Sequence, residues 1–489
     1  NMSDRGIPRS YRMMEGFGVH TFRLVNEAGD STLVKFHWKP ALGVHSLIWE
    51  ESQKLMGIDP DFHRRDLWDA IASGTFPEYE LGIQIFDGAE DDYYNGIDLL
   101  DPTKIVPEEM VPVRRIGRMT LDRNPDNFFA ETEQVAFCTA NVVRGIDFTD
   151  DPLLAARNFS YLDTQLTRLG GPNFNQLPIN RPLSDVDTTQ RDGFGQHAVP
   201  EGRAPYNPNS LQGGCPMTAD GGGFVHFPEM VQGEKVRERP VGGAQKLSFD
   251  DHYTQATLFW RSMTPVEQDH IVGAFSFELG KVETIDVKDR MLAGLANVDA
   301  ALTARVAANL GRPVPQGKPV DEVETSAALS MVAQPLPGPI AGRMVGVLVG
   351  QGADAAGIKT LRAAFEAEGA TLVVIGPHGG ELSPAKGQRA KVPVDKSIDT
   401  TQSVEYDALI LADGDGDMTA NPLVAVNLEE AFRHAKTIAA WGRGRGGLDG
   451  LRLDPSAPGV ITAETGDEAF AAAVVEAVGR HRHWDRPQP

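Results

Sequence analysis

Five short apolar runs punctuate the last third of the chain: Val345 to Val349, Leu372 to Ile375, Ala408 to Leu411, Ile438 to Trp441 and Val460 to Thr462. Each is short for a helix and too uniformly apolar for a strand with one wet face, so each reads as a strand covered on both sides. Strands of that kind belong to parallel sheets, whose neighbours are joined by crossover helices. The stretches between read as those helices, such as Ile358 to Glu368 with Gly369 closing it as a C-cap. Residues 342–489 are therefore expected to form an α/β doubly wound domain.

Upstream the period changes. His20 to Leu24, Ser31 to Trp38, Tyr79 to Phe86 and Val111 to Leu121 alternate or carry β-branched and aromatic residues, which predicts antiparallel strands within residues 1–170. Asn26 to Asp30 reads as a hairpin turn, and Asp66 to Ser73 as a short helix. Residues 171–255 are rich in Gly, Pro and Asn, punctuated by Gly213-Gly214 and Gly221-Gly222-Gly223. So long an irregular stretch inside a compact protein points to an arm that gains its order by wrapping a neighbouring subunit. Residues 256–312 turn helical: Thr264-Pro265-Val266-Glu267 is a helix start, and Ile271, Phe275 and Leu279 share one face. Residues 313–341 carry many prolines and read as a linker. The whole is an α+β chain followed by an α/β unit.

Charge and cysteine usage exclude several classes. The net charge is -22, with 46 basic against 68 acidic residues, so no large nucleic-acid footprint is expected. No apolar run approaches a membrane span, and the start of the chain has no signal-peptide apolar region. The two cysteines, Cys138 and Cys215, cannot build a disulfide framework or a structural zinc site. A cytoplasmic location is expected, although a secreted protein without disulfides fits the same composition.

The chemistry concentrates in Arg157-Asn158-Phe159-Ser160-Tyr161-Leu162-Asp163-Thr164-Gln165, followed by Arg168. On a helix this spacing can put Arg157, Tyr161 and Arg168 on neighbouring turns. A phenol ionises only near pH 10 unless a fixed cation stands beside it, and Arg157 is placed to supply one. A tyrosinate is a hard, strongly donating ligand for ferric iron.

The segment resembles the proximal haem-ligand helix of monofunctional haem catalases. Other stretches are similar to the same family in the same order: Ser3 to Arg12, Gly16 to Phe22, Asn124 to Glu131, and Gly171-Pro172-Asn173-Phe174 after the helix. The resemblance implies an antiparallel β-barrel haem domain in 1–170 and an iron-bound Tyr161 kept ionised by Arg157. It also implies His20 and Asp151 extending that hydrogen-bonded chain, Arg168 on a haem propionate, and Phe137, Val19 and Thr164 lining the pocket. Taken singly, Tyr161 and His20 would be satisfied core residues and Arg168 a solvated charge. Family members can carry a cysteine or histidine linked covalently to the proximal tyrosine, so a thioether from Cys138 to the Tyr161 Cβ stands level with a free buried thiol.

The family's distal histidine and asparagine lie in segments ahead of Ser3, and neither motif is found in this chain. Catalytic distal residues are therefore expected in an N-terminal portion preceding Asn1, with a second chain or a loss of catalase function as the alternatives. The C-terminal unit looks like that of large-subunit catalases, related to class I glutamine amidotransferases with a flavodoxin-like fold. In those relatives a nucleophilic cysteine occupies a strand-to-helix turn; here Gly442 stands near that place and no cysteine follows Cys215. Asp413-Gly414-Asp415-Gly416-Asp417 invites a calcium-loop reading but reads better as a turn, and the domain is expected to be structural.

The resemblance implies disproportionation of hydrogen peroxide by a homotetramer carrying haem b or a modified derivative such as haem d, in the response to oxidative stress. NADPH is not expected, because in large-subunit relatives the extra domain covers that region. The rival readings are a haem-binding protein without turnover and a non-haem interaction module.

Overall fold

The computed structural model describes residues 2–89, 92–183, 190–200, 203–204, 209–211, 248–320 and 323–487. Gly213-Gly214, Cys215 and Gly221 to Gly223 lie outside the described residues.

The N-terminal part is built on a mixed-length antiparallel sheet. Its strands are β1 (Gly16–Phe17), β2 (Phe22–Val25), β3 (Ser31–Pro40) and β4 (Glu78–Ile85), then, past a small hairpin of β5 (Tyr93–Tyr94) and β6 (Ile97–Asp98), β7 (Arg114–Thr120) and β8 (Ile146–Asp147). The order is β7-β4-β3-β2-β8, with β1 also on β3. Among the described residues the edge strands β7 and β8 do not pair, so the sheet is open, in keeping with a barrel expected to be incomplete at its N-terminus. The β2–β3 turn forms as the sequence suggests: Asn26 Oδ1 accepts from the Ala28 and Asp30 N–H groups, and Gly29 takes φ +87.

Two helices follow β3, α1 (Trp49–Ile58) and α2 (Phe62–Ala72). The second begins four residues before the expected Asp66, and the first has no apolar stripe to betray it. Its buried residues are Glu51 and Leu55, so it docks through one carboxylate and one leucine, the latter against Leu47, Phe62 and Val404. α3 (Pro152–Arg168) carries the tyrosine segment. After the irregular stretch come α4 (Thr254–Ser262), α5 (Pro265–Gly280), α6 (Ile285–Leu295) and α7 (Ala300–Leu310), packed around Leu258, Ile271, Leu279, Leu292, Leu302 and Val306. The α5 start works as read: Pro265 takes the first position, and Glu267 reaches back to accept from the Thr264 N–H at 2.9 Å.

The last part holds a parallel sheet. Its strands are β9 (Met344–Leu348), β10 (Thr371–Gly376), β13 (Lys396–Ser397), β14 (Ala408–Leu411), β15 (Thr437–Trp441) and β16 (Val460–Ala463), in the order β13-β10-β9-β14-β15-β16. A two-stranded ribbon of β11 (Gly380–Leu382) and β12 (Val392–Val394) stands beside it. α8 (Ala355–Ala367) and α11 (Glu468–Gly479) cover one face through Leu361, Phe365, Phe470 and Val474. α9 (Pro422–Arg433) and α10 (Arg445–Gly450) cover the other through Val424, Leu428 and Leu448. Four of the five apolar runs are thus strands buried on both sides, as their uniform hydrophobicity requires, whereas in β16, at the sheet edge, Val460 is buried and Thr462 is exposed.

Buried ions tie this unit to the N-terminal part. Asp407, just before β14, accepts from Arg9 Nε and Nη2 at 2.8 Å each and from Arg343 Nη1 at 3.0 Å. Glu51 of α1 meets Lys436 at 2.6 Å and Arg482 at 3.0 Å.

Candidate functional site

α3 is fixed at its start by Asp151. One carboxylate oxygen caps the helix, accepting from the Leu153 and Leu154 N–H groups at 2.8 and 3.1 Å, and Pro152 occupies the first turn. The other oxygen lies 2.5 Å from His20 Nδ1, and both side chains are buried. Burial pushes the Asp151 carboxyl up, but the hydrogen bonds from His20 and from the helix N–H groups outweigh it and hold the group below its usual range. His20 and Asp151 therefore form one unit beneath the start of the helix.

Along α3, Leu154, Arg157, Tyr161, Gln165 and Arg168 fall on one stripe, with Leu154 and Gln165 buried. Arg157 Nη2 donates to Tyr161 Oη at 3.0 Å, and its guanidinium lies over the ring 5.3 Å from the centroid. This is the geometry the spacing foretold, with both side chains half-buried.

Arg168 is placed differently from its expected role. Its guanidinium donates to the Glu133 and Val135 carbonyls at 2.5 and 2.6 Å and to Gln165 Oε1, so it clamps the 133–135 segment to the end of α3. The same segment is pinned further along. Thr139 donates to Asn158 at 2.6 Å, and Gln165 Nε2 donates to the Phe137 carbonyl at 3.2 Å. Cys138, between those anchors, is held alongside the middle of the helix as a half-buried free thiol. Sequence reasoning missed Asn158, Gln165 and Asn180, whose Nδ2 donates to the Gln134 carbonyl. Nothing but their polarity on a helix or in a loop marks them.

Phe137 is 78% exposed, and Val19 and Thr164 are also exposed. Phe17, Ile116, Phe128, Phe129, Val143, Phe159 and Leu162 are likewise exposed.

In the C-terminal unit, Gly442 follows β15 with φ +58, in the left-handed region that favours glycine. A Cβ there would meet the Asp413 carboxyl carbon at 2.6 Å. Asp413 Oδ1 accepts from both the backbone N–H and Nε of Arg443, so a carboxylate fills the place. Asp415 pairs with the same arginine, and Asp417 caps the next turn through the Thr419 N–H. The acidic run is spent on these contacts, and no group of three metal-ligating side chains assembles among the described residues. Nor is any helix among them long and apolar enough to cross a membrane.

An open antiparallel sheet, a capped helix bearing an Arg–Tyr pair and a parallel α/β unit agree with what comparison with known proteins finds. Residues 1–213 match the family model described as catalase, 246–310 that of catalase-related immune-responsive proteins, and 341–488 the C-terminal domain found in long catalases. Catalase HPII of Mycobacterium avium is 50% identical over 504 residues, covering 99% of this chain and 70% of the relative. Catalase HPII of Pseudomonas putida is 48% identical, with 99% and 68% covered, and Catalase-2 of Bacillus subtilis 48%, with 99% and 70% covered. The chain belongs to the catalase family, and to its long, large-subunit branch.

Proposed function

We propose that this catalase disproportionates hydrogen peroxide at a haem whose iron is held by the phenolate of Tyr161. The observation that carries the reading is the 3.0 Å hydrogen bond from Arg157 to the Tyr161 oxygen, on a helix whose start is fixed by Asp151. The donor set suits the group: an oxygen ligand, a guanidinium that stabilises its anion, and an apolar surface of Phe137 and Val19 beside it. When bound, ferric haem supplies the two-electron chemistry in which one peroxide is oxidant and the next is reductant.

The residues of this chain hold and tune that group. Tyr161 would bind it, and Arg157, which donates to the phenol oxygen, would limit the charge that oxygen passes on. His20 and Asp151 fix the helix entry. Arg168 would meet a propionate with whatever N–H capacity its carbonyl contacts leave; those contacts also make it the clamp that brings Phe137 and Cys138 to the helix. Thr164 and Val19 would line the pocket.

Cys138 is bracketed by anchors at Asn158 and Gln165, which straddle Tyr161. That supports a thioether from its sulfur to the Tyr161 Cβ. Forming it removes one hydrogen from each partner, with peroxide as the oxidant. Haem b and a modified haem d are both compatible with this ligand set. The exposed apolar residues and the 171–255 arm support a homotetramer, and the flavodoxin-like C-terminal unit, bound through buried ions, a structural role.

Oxygen release from hydrogen peroxide tests the function. The haem-loaded protein should evolve oxygen, and Tyr161→Phe should lose both the haem and the activity. A Tyr161→Phe variant that keeps both would defeat the assignment.

A further inference from the structure

Lys35 is a buried charge that this reading leaves unused. It lies mid-strand on β3, 6% exposed, and its Nζ donates to the carbonyls of Val19 at 2.8 Å and Leu99 at 3.1 Å. Burial pushes the ammonium down to about 8, against the pull of the Asp151, Asp98 and Asp101 carboxylates. A buried ammonium held by two neutral carbonyls is costly, and a methionine would fill the same space without that cost.

What the ammonium touches gives it a purpose. The Val19 carbonyl is one peptide unit from His20, whose Nδ1 lies 2.5 Å from Asp151, and Asp151 caps α3. On the other side of His20, Thr21 shares the Leu99 carbonyl with Lys35: its Oγ1 donates there at 2.6 Å, and its own carbonyl accepts from Thr149 Oγ1 at 2.7 Å. His20 is therefore bracketed on both sides, and Lys35 brings a positive charge to the bracket where Thr149 brings only a hydroxyl.

We infer that Lys35 is a positioning residue of the proximal site, whose ammonium fixes His20 on Asp151 and balances the Asp151 carboxylate beneath the helix that carries Arg157 and Tyr161. The inference rests on the haem reading above. Its charge is then part of the field at the ferric iron, and its removal weakens the binding of an anion there.

The experiment titrates the ferric haem-loaded protein with cyanide, read in the Soret band, for the wild type, Lys35→Gln, Lys35→Met and Thr149→Val. Lys35→Gln removes the charge and retains an N–H donor on a side chain one atom shorter, and Lys35→Met removes charge and donor together. The cyanide dissociation constant should rise by roughly three- to tenfold in both lysine variants and stay put in Thr149→Val, which loosens the same bracket without a change of charge. An unchanged constant in Lys35→Gln overturns the inference, as does an equal rise in Thr149→Val. If Lys35→Gln and Lys35→Met lose haem, Lys35→Arg should retain it; loss in all three would make Lys35 a packing residue and overturn the inference as well. A wild type that shows no Soret band would instead refute the haem reading itself.

Discussion

Asp407→Asn should loosen the C-terminal unit more than any single apolar truncation at its edge. The carboxylate is 3% exposed and accepts four bonds: two from Arg9, one from Arg343 and one from the Met344 N–H at 3.0 Å. An asparagine keeps one acceptor oxygen and turns an NH₂ group toward a guanidinium, leaving the buried Arg343 without its carboxylate and Arg9 with only Asp66, 3.7 Å away. Removing one partner of such a pair costs about 3–5 kcal/mol. Arg9→Met should cost less, because Arg343 and Asp407 remain a neutral pair and Arg12 still pairs with Asp66 at 2.8 Å. Hydrogen exchange followed by mass spectrometry on the β9 and β14 peptides reads this directly. Protection there should fall by roughly two to four decades in Asp407→Asn. A change below tenfold, or an Arg9→Met variant as damaged as Asp407→Asn, would refute the assignment of the junction to this shared carboxylate.

The remaining expectations concern the same junction, Cys138 and the turn at Gly442. Burial pushes Glu51 up, but Arg482, Lys436 and His434 outweigh it and hold its carboxyl well below the usual range. Its folded pKa is depressed, so its contribution is present above the unfolded value of about 4.3 and is lost as pH falls below it; the acid limb of thermal stability should flatten in Glu51→Gln, and an unchanged limb would contradict the linkage. Peptide mapping of the haem-loaded, peroxide-exposed protein should find Cys138 and Tyr161 in one cross-linked species lacking two hydrogens, and freely alkylated Cys138 would remove the thioether. Gly442→Cys should destabilise by about 1–3 kcal/mol, through strain at φ +58 and the clash with Asp413, and Asp413→Ala should recover part of it. Thermal melts of the two variants decide this one.

How far the sequence carried depended on whether a feature was local. The parallel core was legible because buried strands such as Ala408–Leu411 must be apolar at every position, and α5 because Thr264, Pro265 and Glu267 make a start signal within four residues. The Arg157–Tyr161 contact is a one-turn spacing and could be read directly. α1 could not, since its buried face is one leucine and the Glu51 carboxylate, whose partners Lys436 and Arg482 come from the far end of the chain. Arg9 and Asp407 likewise meet across nearly the whole sequence, and no pattern short of the fold pairs them. Arg168 shows the converse limit: a residue type fit for a propionate also fits two backbone carbonyls, and only the coordinates place those carbonyls at 2.5 and 2.6 Å. The antiparallel strands of the first part were legible from their alternation, and their sheet is open, in keeping with a barrel expected to be incomplete at its N-terminus.

The most direct test of the central claim is resonance Raman spectroscopy of the ferric haem-loaded protein, excited to enhance phenolate–iron modes. The account predicts tyrosinate bands in the wild type that vanish in Tyr161→Phe and shift in Arg157→Leu, where the oxygen loses its guanidinium. Tyrosinate bands that survive in Tyr161→Phe, or a wild type without them, would contradict it.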